Sequence, residues 1–96
     1  MKDTTYEVWI IGYDKEDNIT DFDTIVQSFD NASQAVGFAK KLVDNRLEGI
    51  KIDIPDEVYY VEVVAERCKD FFGISTCVET LFSRFTWYNG KKEVSV

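Results

Sequence analysis

Apolar and β-branched residues crowd Tyr6 to Tyr13, a polar stretch runs from Asp14 to Asn18, and Ile19 to Phe29 returns to β-forming residues with Phe22, Thr24, Ile25 and Val26. Two such runs across a short polar break predict a β-hairpin. The break lacks a two-residue glycine turn and neither face of Ile19 to Phe29 is cleanly apolar, so the pattern leaves the register open and a bulge is expected.

From Asn31 the period changes. Ala32, Ala35, Val36, Ala39, Leu42 and Val43 recur at the three-and-four spacing of one helical face, widened by Phe38, while Ser33, Gln34, Gly37, Lys40, Lys41 and Asp44 form a polar face. This predicts an amphipathic helix over 31–47 lying on a sheet. Asn31 followed by Gln34 fits a capping box, Asp30 suits the positive end of the helix dipole, and Gly49 supplies a stop.

The segment from Ile50 to Gly73 carries opposed signals. Pro55, Asp56 and Glu57 resemble a helix start, and Arg67, Lys69 and Gly73 a helix end. Its interior, with Val58, Tyr59, Tyr60, Val61, Val63 and Val64, favours a pleated surface. The strand reading is taken here, with Tyr59, Val61, Val63 and Ala65 on one face and Glu62 and Glu66 on the other; Ile50 to Ile54 reads as an extended lead-in. At the C-terminus, Asn89-Gly90 is the preferred centre of a two-residue hairpin turn. Counting outward from it places Leu81, Phe85, Trp87, Val94 and Val96 on a buried face and Arg84, Thr86, Tyr88, Lys91, Glu93 and Ser95 on the outer one.

The assembled order is β-β-α-β-β-β, an α+β fold with one helix on a mainly antiparallel sheet. A chain of 96 residues without internal repeats or a low-complexity linker is read as a single domain over 1–96. With 45% hydrophobic and 15% aromatic residues it has the apolar mass for a core of its own. No run of apolar residues approaches a membrane span and the N-terminus has no signal-peptide pattern, so a cytoplasmic location and no membrane association are expected. Cys68 and Cys77 lack CxxC spacing, and reduced thiols acting as small buried hydrophobes are the expected state; a fold-back of the intervening turn would allow a disulfide or half of a metal site.

Charge is unevenly spread. Residues 1–30 hold eight acids against two lysines, a balance of −6, whereas the remaining residues hold ten acids and nine bases. Such a field repels phosphates and argues against direct nucleic-acid binding, while leaving a basic protein partner open. The chain has no histidine, which removes Ser-His-Asp and Cys-His catalysis and His-based zinc sites. Glu62 and Glu66 share a strand face and could in principle act as an acid–base pair, but alternating charges suit a solvated sheet surface. The run from Asp14 to Asn18 fails as a calcium loop, since Ile19 stands where glycine is needed and Ile25 where the bidentate Glu belongs. Tyr60 and Tyr88 fall on outer faces, and Phe71 and Phe72 lie in a turn.

No cofactor is expected. The leading expectation is a small acidic, non-enzymatic protein-binding module, with a sheet edge that could join a second copy. A narrower alternative is an acidic inhibitor that mimics nucleic acid and docks on a basic protein surface; a small enzyme without histidine chemistry is the third. The partner-binding candidates are Asp14, Glu16, Asp17, Asp21 and Asp23. Asp21 and Asp23 would lie about 7 Å apart along one strand face.

Overall fold

The computed structural model describes residues 4–87. They form strands β1 (Thr4–Tyr13) and β2 (Ile19–Phe29), helix α1 (Ala32–Asp44), and strands β3 (Tyr60–Phe71) and β4 (Ile74–Trp87). The four strands make one antiparallel sheet in the order β2-β1-β3-β4, so the central pairing joins the two hairpins.

The β1–β2 register slips between Val8 and Trp9 and again between Ile11 and Tyr13, the irregularity that the weak turn signal and mixed faces of β2 allow. Gly12 sits at the second slip because the space is taken: a Cβ there would stand 2.7 Å from Val58 Cγ2 and 2.9 Å from Thr20 Oγ1. Between the strands, Asp14 Oδ1 accepts from the backbone N–H groups of Glu16 and Asn18 at 2.9 Å each, and Asp17 takes a left-handed φ of 68°. An Asx-type turn therefore closes the hairpin in place of glycine.

Helix α1 starts where expected, with Asn31 as N-cap accepting from the Gln34 N–H at 2.8 Å. It ends earlier than the predicted residue 47. The Leu47 N–H bonds to Leu42 O at 2.9 Å and the Arg46 N–H to Val43 O at 3.2 Å, with Arg46 at φ 52°. This is a Schellman ending without glycine, and Gly49 lies beyond it in the loop. Leu47 and Leu42 are both buried, so apolar contact across the cap supplies what Arg46 lacks as a left-handed residue.

Ala35, Ala39 and Leu42 face the sheet and pack with Val8, Ile10, Val58, Val61, Val63 and Ala65, all ten-tenths buried except Leu42. Ile50, Ile52 and Ile54 lean on this core while Lys51 and Asp53 are exposed; the segment alternates like a strand but pairs with none of the four described strands. In β3 the valines outweigh the helix-like boundaries, and the strand runs on to a tight turn at Phe72 (φ 53°) and Gly73 (φ 82°), with Phe71 opposite Ile74. Both turn residues are left-handed, as a type I′ turn demands.

Two expectations are corrected here. The described residues contain two strands after the helix, so β-β-α-β-β holds and a third is not seen among them; the Asn89-Gly90 turn and its partners Tyr88 to Val96 lie outside the described residues. The faces of the last strand are also inverted. Val61, Val63 and Ala65, which face the helix, stand opposite Thr86, Arg84 and Phe82. Thr86 is buried and donates to Val43 O at 3.2 Å, while Phe85 is 58% exposed. The alternation rule assumed one apolar face, whereas this sheet places aromatic residues on the face away from α1.

Candidate functional site

Helix α1 and the 45–59 segment cover one face of the sheet. The opposite face is assembled from alternate residues, with Tyr13 opposite Tyr60, Ile11 opposite Glu62, Trp9 opposite Val64, Glu7 opposite Glu66, and Thr5 opposite Cys68. Asp23 joins it across Ile11, and Ser83, Phe85 and Trp87 extend it on β4.

One end of this face is aromatic. Tyr13 and Tyr60 stack with ring centroids 5.3 Å apart and planes within 5°. Phe85 meets both edge-on, at 5.5 and 5.6 Å, and Trp87 lies 5.3 Å from Tyr60 at a tilt of 57°. These are the offset and edge-to-face geometries that ring quadrupoles favour. The hydroxyls reach carboxylates: Tyr60 donates to Asp17 Oδ1 at 2.8 Å and Tyr13 to Glu62 Oε1 at 3.3 Å. Burial pushes the Tyr60 phenol up to about 12, helped by its bond to Asp17 and by the charges of Asp17 and Asp14. The Tyr13 phenol is raised as well, by burial first and then by Glu62. Both rings therefore stay neutral donors at physiological pH.

The middle of the face is acidic. Glu7 is only 9% exposed, with Trp9 Nε1 donating to it at 3.0 Å and Ser75 Oγ at 3.3 Å. Glu62 also accepts from Ser83 Oγ. Burial raises the Glu66 carboxyl; a hydrogen bond from Thr80 pulls it back, and Glu7, Asp23 and Glu62 push it up again. The cations of the strands lie elsewhere, since Arg67 stands opposite Tyr6, Lys69 opposite Thr4 and Arg84 opposite Val63, all in the helix-facing register. Arg67 is spent on Glu79 at 2.8 Å.

The sequence-predicted candidates separate into different roles. Asp14 is engaged in its own turn, Asp17 is tied to Tyr60, and Glu16 is exposed at the tip. Asp21 and Asp23 are exposed along β2, with Asp23 close enough to Glu66 to raise it. The reading from sequence missed Glu7 and the assembly of Tyr13, Phe85 and Trp87 with Tyr60. Alternation alone set Phe85 and Trp87 on the wrong face, and it takes the β1–β3 pairing for Tyr13 and Tyr60 and the β3–β4 pairing for Phe85 and Trp87 to bring the rings together.

The expected reduced thiols are corrected: Cys68 and Cys77, paired across β3 and β4, form a disulfide. The tight Phe72-Gly73 turn, unreadable from cysteine spacing, makes them neighbours. Glu7 Oε1 lies 3.6 Å from Cys77 Sγ, and these three residues gather potential ligand atoms within 4.8 Å. With both sulfurs bonded to each other, no thiolate is available to a metal. A cavity of about 450 Å³ between the end of α1, β2 and the 48–52 loop is lined by Val26, Phe38, Leu42, Ile50 and Ile52 and holds no converging set of carboxylates.

No described helix is long and apolar enough to cross a membrane. Comparison with protein-family models, with curated proteins and with solved structures finds no match to this chain. The class is therefore defined by architecture alone, as an α+β domain with a helix-covered face and an aromatic and acidic face.

Proposed function

We propose that this protein is a non-enzymatic binding module whose sheet face opposite α1 docks a basic segment of another protein. One observation carries the reading. Glu7, Asp23, Glu62 and Glu66 share a face on which, among the described residues, the strand register places no Lys or Arg. Glu7 and Glu66 stand directly opposite each other, where like charges destabilise a sheet. A cationic partner would relieve that repulsion, and the negative field of the N-terminal hairpin would steer it in.

The narrower reading, a mimic of nucleic acid, draws on Asp21 and Asp23 along the exposed edge strand. It explains the aromatic end less well, since a surface imitating phosphates needs carboxylates and not rings. The test is an NMR titration of the full chain with a lysine- and arginine-rich peptide at low salt. Shifts are expected on β1, β2 and β3 residues of the acidic face, weakening as salt screens the charges beyond about 8 Å. Shifts confined to α1, or an affinity unaltered by Asp23→Asn/Glu62→Gln/Glu66→Gln, would exclude this surface.

A further inference from the structure

Beside the acidic row lies a cavity of about 290 Å³ lined by Asp17, Tyr60, Phe85, Thr86 and Trp87. Its walls differ in orientation: Phe85 stands at 70° and Trp87 at 57° to the Tyr60 ring. Tyr13, stacked on Tyr60, backs this wall. The rim carries a carboxylate fixed from two directions, because the Asp17 N–H bonds to Asp14 O at 3.1 Å while its Oδ1 accepts from Tyr60. A carboxylate has about four acceptor positions, and Tyr60 occupies one.

We infer that this aromatic cavity is the specificity site of the module and receives an arginine side chain from the basic partner. The inference rests on the docking face proposed above and names the chemistry it reads. Ring faces are negative and attract a cation, and the planar guanidinium can lie flat on one ring while forking onto Asp17. An ammonium can do the first of these as a point charge but not the second. Size agrees, since small-molecule pockets run from about 300 Å³ upward and this one suits a single side-chain head group. Charge agrees too: Asp17 sits on the rim and Glu62 is bonded to Tyr13 behind it. The 58% exposure of Phe85 fits a ring kept uncovered for a ligand.

The test uses the full chain at fixed ionic strength, with blocked hexa-arginine, blocked hexalysine and N-acetyl-arginine amide as probes, followed by tryptophan fluorescence and NMR. Hexa-arginine should bind at least threefold tighter than hexalysine. Phe85→Ala should weaken hexa-arginine roughly fivefold, the scale of one partly exposed cation–π contact, and Asp17→Asn roughly tenfold. Both positions are at the surface, and a far-UV spectrum confirms that each variant is folded. Equal affinity for the two peptides, or hexa-arginine binding untouched by both variants, overturns the assignment. If N-acetyl-arginine amide binds as tightly as the peptide, the ligand is a free guanidino compound and the partner assignment falls. Asp23→Asn/Glu62→Gln/Glu66→Gln separates the two proposals: loss of binding there with no effect at Phe85 and Asp17 keeps the docking face and removes the arginine site. Loss at Phe85 and Asp17 alone supports the cavity and removes the acidic row.

Discussion

Replacing Glu66 with Gln should stabilise the free protein at neutral pH, and the size of the gain follows from the register. Directly opposed residues in an antiparallel pair have Cβ atoms about 5 Å apart, and two carboxylates at about that separation repel by roughly 0.8 kcal/mol even at the dielectric of water. Asp23 and Glu62 act in the same direction, but they stand farther off in the register and solvent screening reduces them further. Gln keeps an oxygen for the Thr80 hydroxyl that now bonds Glu66. The expected gain is therefore about 0.5–1 kcal/mol, or about 2–8 °C in melting temperature for a domain of this size. The sign with pH is fixed by the raised carboxyl. A group that holds its proton more tightly when folded contributes stability that is fully present below its unfolded value, near 4.5, and is lost as pH rises through the higher folded value. Thermal melts of the two proteins should thus diverge at pH 7 and converge at about pH 4. In 1 M salt the difference should shrink, since screening then acts over about 3 Å. A Gln variant that melts lower at pH 7, or a gap that stays constant between pH 7 and pH 4, would refute the reasoning.

Arg46→Gly should raise stability by about 0.5–1 kcal/mol in urea melts, since removing a left-handed penalty of about 1–2 kcal/mol outweighs the added chain entropy of glycine. Phe72→Asn should act in the same direction at the β3–β4 turn, and a lower midpoint would show that the ring stabilises the turn. Reducing the Cys68–Cys77 bridge, or replacing both residues with Ala, should cost about 2.5–3 kcal/mol by the loop-closure estimate for roughly ten residues; an unchanged urea midpoint with a dithiol would contradict the bridge. Gly12→Ala should cost about 1–3 kcal/mol, because the new methyl meets the buried Val58 side chain. Gly12→Ala/Val58→Ala should recover part of that loss.

What the sequence made legible was local. The helix over α1 followed from Ala35, Ala39 and Leu42 at one-face spacing with Asn31 ahead of them, and the first hairpin from two β-rich runs around an Asp-rich break. The strand at β3 followed because Val61, Val63 and Ala65 alternate with Glu62 and Glu66. The helix end was lost because the rule looks for glycine, while Leu47 burial holds Arg46 in a conformation that glycine usually takes. The last strand was inverted for a related reason. Phe85 and Trp87 are the most apolar residues near its end, and a rule built on one buried face sends them to the core; here they complete a ring cluster with Tyr13 and Tyr60 on the other side.

The candidate site was illegible because each of its parts is ordinary alone. Tyr13 and Tyr60 are separated by 47 residues and Glu7 and Glu66 by 59, and only the central β1–β3 pairing makes each pair adjacent. That pairing sets the rings at the end of the sheet nearest the Asp14–Asn18 turn and the opposed carboxylates further along the same face. A fold selected for stability alone would place a lysine opposite Glu7 or a β-branched residue at 66, since either removes the repulsion without touching the core. About 1 kcal/mol of repulsion is a sizeable fraction of the 5–15 kcal/mol by which a small domain is stable. The proposed docking of a cation would offset this cost, because the same charges that repel one another in the free protein would attract such a partner.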